Sequence, residues 1–186
     1  MTAPDSPRRE ARDADAVAAA EYRQVAKPMA AVLSASAFLV PLALSASTRP
    51  SVRHPRVMIW YRSLRQPWFK PPDIAVPLAW TAIEAGLARS AYRLLRAAPS
   101  SARTRSLSLW AWNVGMIGAW SRLFFGRRNL PASTVAALGM VVSGAAFVQQ
   151  ARQVDAPAAR AAVPFVAWVG FATLLTAALW RLNRHR

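Results

Sequence analysis

Glu84 is the residue of this sequence with the clearest potential for chemistry. It lies in the middle of an apolar stretch, where a carboxyl group either marks a functional site or bonds to a neighbouring helix as the neutral acid. The two histidines, His54 and His185, lie outside the apolar stretches, and the chain has no cysteine. These residues therefore predict neither a catalytic site nor a metal site.

The eight tryptophans are the second notable feature. Five lie at the ends of apolar stretches, where an aromatic belt meets a membrane surface: Trp60, Trp68, Trp110, Trp112 and Trp180. The three others lie within the stretches: Trp80, Trp120 and Trp168. By helical spacing, Phe165, Trp168 and Ala172 share one face, and Trp80 shares another with Glu84. These faces could line a cavity for a flat apolar ligand, but ordinary core packing accounts for them too and is favoured by the residues alone.

The apolar stretches predict the elements that position these side chains. The chain has 186 residues, 54% of them hydrophobic, and a helix that crosses a bilayer needs roughly 20 apolar residues. We predict an all-α integral, multi-pass membrane protein with a bundle of five transmembrane helices in one domain, 29–183. The polar residues 1–28 are expected to form a flexible tail. The predicted helices are 29–47, 74–95, 107–125, 131–150 and 161–180.

The net charge of +16 raises the question of nucleic-acid binding. The arginines occur in short clusters between the apolar stretches, which is typical of membrane-protein loops rather than of a basic groove. We therefore expect a lipid bilayer, and no nucleic acid, as a partner. Positive charge is balanced between the two sides of the predicted bundle, so it does not decide the orientation.

The first connection, residues 48–73, is long for a compact bundle and contains five prolines. Within it, apolar residues at helical spacing form one stripe, and arginines lie on the opposite face. The stripe and its arginines are Val57, Trp60, Tyr61 and Leu64 with Arg62 and Arg65. We predict a short helix that lies over the bundle mouth as a lid, with Trp60 and Tyr61 pointing inwards. The same periodicity is compatible with a helix that lies among the lipid headgroups.

Small residues recur at four-residue spacing on two of the predicted helices. They are Ala111, Gly115 and Ala119 on one helix, and Gly139 and Ser143 on the next. Such spacing permits close helix contact, either within one protomer or between two.

Several motifs of the sequence, in order along the chain, resemble those of the tryptophan-rich sensory protein or translocator protein family (TspO/MBR). The resemblance extends from about residue 29 to residue 183. The motifs are Trp60-Tyr61, Pro71-Pro72, Trp80-Thr81, Trp120-Ser121, Phe124-Phe125-Gly126, Val163-Pro164, Trp168-Val169, Ala172-Thr173 and Trp180-Arg181-Leu182-Asn183.

The resemblance implies a five-helix bundle, usually a homodimer, whose cavity beneath the first connection binds porphyrins, haem, sterols or synthetic benzodiazepine-type ligands. The residues that match the ligand pocket of the family are Tyr61, Trp80, Trp168 and Ala172. The resemblance thus favours a cavity over simple packing. It would place the first connection and the C-terminus on the cytoplasmic side.

The sequence departs from the family pattern at positions that touch this pocket. Phe69 replaces a usual Trp, Phe165 a usual Tyr, and Glu84 a common aromatic residue. Ile117 and Thr176 each stand where Asn is usual. These departures change the polar groups available to a ligand.

We therefore predict a membrane receptor or carrier for a tetrapyrrole or similar flat, sterol-like ligand, with no resident cofactor. The ligand would contact Tyr61, Trp80, Glu84, Phe165, Trp168 and Ala172. The predicted lid residues are Trp60, Arg62, Leu64 and Arg65, of which Arg62 and Arg65 would meet the ligand's propionates. Two alternatives stay open: an enzyme that degrades porphyrin photo-oxidatively, with Trp80 and Trp168 as electron donors, and a structural membrane partner with a filled core.

Overall fold

A computed structural model of the protein describes residues 24–48, 50 and 54–185, together with residues 9, 12 and 13. Within these residues the regular structure is helical and contains no strand, so the predicted all-α class is confirmed. Most of the predicted tail, 1–28, lies outside the described residues, as do residues 49 and 51–53 of the first connection.

From residue 24 onwards, the described residues form five long α-helices and one short α-helix, and a five-residue π-helix, Arg122–Gly126, continues the fourth of them. The six α-helices are α1 (Lys27–Ser45), α2 (Pro55–Ser63), α3 (Ala75–Arg96), α4 (Ser101–Ser121), α5 (Leu130–Val154) and α6 (Ala156–Asn183). Within the described part of the chain, α1, α5 and α6 are long and apolar enough to cross a membrane. Helices α3 and α4 are less apolar because α3 carries Glu84 and Arg89 and α4 begins with an arginine-rich turn.

The five long helices pack as a closed ring. Helix α1 contacts α3 and α4, α6 contacts α3 and α5, and α4 contacts α5, so the order around the ring is α1, α3, α6, α5, α4. Their inward faces form one continuous core. The largest side chains that it buries include Leu87, Leu94, Phe147, Phe165 and Val169.

Several helix boundaries differ from the prediction, and for α4 and α6 a polar side chain caps the new N-terminus. Helix α4 begins at Ser101 rather than at 107, since the Ser100 side chain accepts a hydrogen bond from the Arg103 N–H at 3.1 Å. The expected polar loop 96–106 is thus mostly helix. Helix α6 begins at 156 rather than 161 and ends at Asn183 rather than 180. Helix α1 is displaced by two residues towards the N-terminus, and α5 continues to Val154.

Asp155 joins α5 to α6 and also ties them to α3. Its side chain accepts the Ala158 N–H at 2.7 Å as the N-cap of α6, and it forms two hydrogen bonds of 2.9 Å with the Arg93 guanidinium. The hydrogen bonds from Arg93 hold the pKa of the Asp155 carboxyl below its ordinary value, against an opposing effect of burial. One carboxylate therefore fixes one end of three helices.

Glycines allow the closest approaches between the helices of the ring. A Cβ atom at Gly86 of α3 would collide with the backbone carbonyl oxygen of Ala161 on α6. A Cβ atom at Gly118 of α4 would collide with the Leu44 side chain of α1, and one at Gly144 would press on Phe165 of α6. Gly139, in contrast, faces open space.

We expect Gly86→Ala to destabilise the protein by about 1–3 kcal/mol, because a backbone carbonyl cannot move aside as a side chain can. Gly170→Ala is the matched control, because Gly170 of α6 has open space where a Cβ atom would lie, and it should be neutral or stabilising because alanine is the better helix former. Thermal unfolding in detergent measures both variants. Equal melting temperatures for the two variants would show that Gly86 does not set the α3–α6 distance.

We expect Asp155→Ala to lower stability by at least the roughly 1 kcal/mol of a lost N-cap. Asp155→Asn keeps the cap and loses only the charge, so it should fall between Ala and wild type. Because the pKa of Asp155 is lowered by folding, its ionised form stabilises the protein above its ordinary pKa of about 3.9. That contribution is lost as the pH falls through the lower folded-state pKa. Unfolding of wild type and Asp155→Asn from pH 7 down to pH ~3 checks this: the difference should shrink at the acidic end.

Candidate functional site

Aromatic side chains from the first connection and from the end of α4 meet at one end of the ring. Trp60 and Tyr61 of α2 contact Phe124 edge to face, with ring centroids 5.8 and 6.2 Å apart. Phe124 stacks on Trp120 at 4.9 Å, and Tyr61 contacts Phe125 at 5.8 Å. These five residues, here called the aromatic cluster, occupy the place where the sequence predicts the mouth of a cavity.

The π-helix positions the two phenylalanines of the aromatic cluster. Its wider turn is closed by a hydrogen bond of 2.8 Å from the Arg127 N–H to the Arg122 carbonyl. Consecutive residues Phe124 and Phe125 both contact Tyr61, although side chains one position apart on a regular α-helix diverge. The main chain then turns through Arg128, which has a left-handed φ of 53°.

Cationic side chains border the aromatic cluster. The Lys70 ammonium lies 5.5 Å from the centre of the Tyr61 ring, and the Arg128 guanidinium lies 5.4 Å from that of Trp60. Burial raises the pKa of the Tyr61 phenol above its ordinary value, although Lys70 acts in the opposite direction. Tyr61 is therefore a neutral hydroxyl at physiological pH.

Trp80 and Trp168 form a second aromatic site, deeper along the helices. Their rings, from α3 and α6, contact edge to face with centroids 6.5 Å apart. Phe171 lies 5.6 Å from Trp168, and Phe69 of the first connection lies 6.3 Å from Phe171. A row of aromatic rings thus leads from the first connection to the Trp80–Trp168 pair.

The two deep tryptophans differ from those that have a structural role. Trp110 donates its indole N–H to the Leu87 carbonyl at 3.0 Å, and Trp120 donates to that of Ser133 at 2.9 Å. Within the described part of the chain, neither Trp80 nor Trp168 makes a hydrogen bond through its indole N–H. The prediction of Trp110 as a membrane-belt residue is wrong: it is buried, because α4 begins several residues earlier than expected, so that Trp110 lies more than two turns from the end of the helix.

An open groove of about 400 Å³ runs along the outside of α3 and α6 and reaches Trp168. Alanines and a proline form much of its surface, and the Trp168 and Phe171 rings form one wall. Its lining residues are Ala79, Ala82, Ile83, Pro164, Ala167, Trp168 and Phe171.

The structure distributes the remaining predicted ligand residues over different surroundings. Phe165 is a core residue, 1% exposed, that packs against Gly144. Glu84 is half-buried on α3 and has no hydrogen bond or ion pair among the described residues. Ala172 is half-buried on α6, and its carbonyl accepts the Thr176 hydroxyl at 2.9 Å. Tyr61 belongs to the aromatic cluster, so the structure keeps it apart from the Trp80–Trp168 pair.

The predicted lid residues lie around α2. Leu64 is buried against the aromatic cluster, whereas the side chains of Arg62 and Arg65 are exposed. The backbone N–H of Arg65 donates to the side chain of Asn183 at 3.0 Å. The sequence analysis names Asn183 only as part of a motif and predicts no role for it. The one feature that sets it apart in the sequence is an uncharged amide within the arginine-rich end of the last helix.

A model of the TspO/MBR family matches residues 37–181, which is most of the chain. The chain belongs to the TspO/MBR family. The tryptophan-rich sensory protein of Cereibacter sphaeroides is 29% identical over 127 residues, which are 68% of this chain and 78% of that protein. The translocator protein of Ovis aries is 30% identical over 129 residues, 68% of this chain and 76% of its own length. Protein CrtK of Rhodobacter capsulatus is 30% identical over 125 residues, which are 67% of this chain and 78% of that protein.

As a TspO/MBR protein with several apolar helices, the chain is an integral, multi-pass membrane protein. Three of the positions that the sequence analysis expects to depart from the family pattern pack against other side chains. Ile117 is 8% exposed in the core, and Thr176 is 2% exposed. Phe69 contacts Phe171 and so takes part in the aromatic row of this TspO/MBR protein.

We expect Phe124→Ala to destabilise the protein by about 3–5 kcal/mol, because Phe124 is buried and contacts four other rings. The matched variant Phe125→Ala, from the same π-helix, should cost less because Phe125 is only half-buried. Thermal unfolding in detergent compares the two. A smaller effect at Phe124 than at Phe125 would argue against the aromatic cluster as the main contact between α2 and the ring.

Proposed function

We propose that all five long helices cross the bilayer and that the protein is a receptor or carrier for a tetrapyrrole or a similar flat, sterol-like ligand. At 1.5 Å per residue, α3 and α4 are each about 30 Å long, which matches the thickness of a bilayer core. The ring order supports this assignment, because α3 and α4 pack between helices that are apolar enough to span.

The observation that carries the proposal is the contact between Trp80 and Trp168. Two large rings from separate helices lie at a half-buried site, and their indole N–H groups make no hydrogen bond within the described residues. The rings offer apolar surface to a planar macrocycle, and the N–H groups can donate to polar atoms at its edge. Glu84, one helical turn after Trp80, would add the carboxyl group that distinguishes this chain from its family pattern.

The charges at the end of the ring covered by the first connection suit a ligand that carries carboxylates. Arg62, Arg65 and Arg181 are exposed around the first connection. The described acidic residue beside them, Asp73, is already paired with Lys70. Arginine binds carboxylates through two parallel hydrogen bonds, so these side chains could hold the propionates of a porphyrin.

Ligand exchange through the end of the ring covered by the first connection requires this connection to act as a lid. In this structure the aromatic cluster fills the end of the ring. A ligand as large as a porphyrin could reach Trp80 and Trp168 from this side only if α2 moves away, and such movement is a common role of long loops over binding sites.

We also propose a homodimer. Gly115 of the small-residue stripe on α4 has open space where a Cβ atom would lie, as does Gly139 on α5. These surfaces are therefore unused within the protomer and could accept a second helix. Ser143 is not part of this surface, because its hydroxyl donates to Asn113 within the protomer.

We expect protoporphyrin IX and haem to bind saturably to the purified protein in detergent. Titrations in the dark should be followed through the absorbance of the ligand, so that the signal does not depend on the tryptophans that are mutated. Trp80→Phe and Trp168→Phe should each weaken binding by about three- to tenfold, because each removes an indole N–H donor and part of the ring surface. Glu84→Gln should change the preference between ligands more than the overall affinity.

Trp112→Phe is the matched control, because Trp112 is 60% exposed on the outside of α4. An equal loss in Trp112→Phe would show that the binding is not at the Trp80–Trp168 pair. The absence of saturable binding would refute the receptor and favour the structural role; Ala172→Phe should then destabilise the protein by overpacking instead of merely blocking a ligand. A new product spectrum under light, lost in Trp168→Phe, would support the photo-oxidative enzyme.

A further inference from the structure

The side chain of Asn183 joins the end of α6 to the first connection. Its carbonyl oxygen accepts the Arg65 N–H at 3.0 Å, and its amide nitrogen donates to the Arg65 carbonyl at 3.1 Å. The same nitrogen also donates to the Leu179 carbonyl at 2.8 Å, which fixes the side chain against its own helix. Asn183 is only 7% exposed, so water competes little for these bonds.

These hydrogen bonds form at the point where α2 ends. The chain becomes extended at Leu64, whose side chain is buried with Phe124 and Leu179. Arg65 follows immediately, beyond the last turn of the helix, where its backbone groups lack helical partners. The Asn183 amide thus acts as a substitute peptide group that satisfies both the N–H and the C=O of one residue.

Two other polar side chains in the described part of the first connection, Gln66 and Lys70, bond within it. The Gln66 side chain donates to the Tyr61 carbonyl at 3.0 Å, and Lys70 pairs with Asp73. The aromatic cluster does bridge α2 and the ring, but ring contacts are less directional than hydrogen bonds and tolerate sliding. Asn183 therefore supplies a fixed attachment point between the first connection and the ring of helices.

We propose that Asn183 is a latch that holds the first connection closed over the ring and thereby sets the rate of ligand exchange. Asn183 is a positioning residue, since it holds backbone and lies outside the Trp80–Trp168 pair. Both partners of the latch are neutral amides, so its strength is independent of pH and depends little on salt, unlike an arginine–carboxylate contact. Only the statement about ligand exchange rests on the proposed function; the closure of the first connection does not.

Hydrogen exchange of the full-length protein in nanodiscs, read by mass spectrometry, tests the latch without any ligand. In Asn183→Ala, exchange in peptides that cover residues 64–66 should be faster on the order of tenfold. Asn183→Asp keeps an acceptor for the Arg65 N–H and loses the donor, so it should fall between Ala and wild type. It also provides a second variant if Asn183→Ala folds poorly.

Gln66→Ala is the matched control, because it removes an amide side chain from the same segment whose hydrogen bond does not reach α6. Its exchange over 64–66 should stay within about twofold of wild type. The ratio of the exchange rate in Asn183→Ala to that in wild type cancels the intrinsic pH dependence of exchange. This ratio should be the same at pH ~6 and pH ~8. Unchanged exchange in Asn183→Ala, or an equal increase in Gln66→Ala, would overturn the latch.

The second arm measures association and dissociation rates of protoporphyrin IX by stopped flow. Because the latch is present with and without ligand, its loss should raise both rates by a similar factor and change the dissociation constant by less than about twofold. A weaker affinity with unchanged rates of association would make Asn183 a part of the ligand site and refute its role as a latch. If the wild type does not bind protoporphyrin at all, the proposed function fails, whereas the exchange experiment still decides the latch.

Discussion

Helices in a bilayer cannot associate by expelling water from between them, so close packing and hydrogen bonds between helices must hold them together. Helix α6 meets this constraint at two of its contacts. Gly86 lets α3 approach its backbone, and Gly144 of α5 receives the ring of Phe165. The positions of Trp168 and Asn183, and so both proposed functional features, depend on how α6 is seated between these two neighbours.

Hydrogen bonds between helices add direction to this packing. Trp110 ties α4 to α3, Trp120 ties it to α5, and the Ser143 hydroxyl bonds to the buried Asn113 between α4 and α5. In an apolar environment each of these groups would be costly to leave unpaired, so each pair restricts the helices to one arrangement. Two of these contacts join α4 to α5 and the third joins α4 to α3.

The two ends of the ring are built differently. At one end, Asp155 fixes three helices with a single carboxylate, and the core beside it is filled with small and aliphatic side chains. At the other end, aromatic rings and the neutral amide of Asn183 hold the first connection in place. Aromatic contacts can be replaced by a ligand ring at little cost, whereas an ion pair that also caps a helix cannot be replaced by an apolar molecule. This difference fits a protein that opens at one end only.

The features that depend on local pattern could be predicted from the amino-acid sequence. Apolar runs of sufficient length predict helices, the stripe Val57, Trp60, Tyr61 and Leu64 predicts a short helix where α2 is found, and the ordered motifs predict the TspO/MBR family that the comparison shows. These properties need only neighbouring residues and the geometry of one helix.

Which helix faces contact one another depends on the tertiary structure. Tyr61 contacts Phe124 rather than Trp168, and Phe165 belongs to the core. Neither placement could be predicted, because the order of the helices around the ring is not encoded in any local period. The π-helix, which turns Phe124 and Phe125 together towards α2, has no recognisable signal in five residues. Asn183 and Arg65 are separated by 118 positions, and their pairing exists only because α2 and the end of α6 are brought to the same end of the ring.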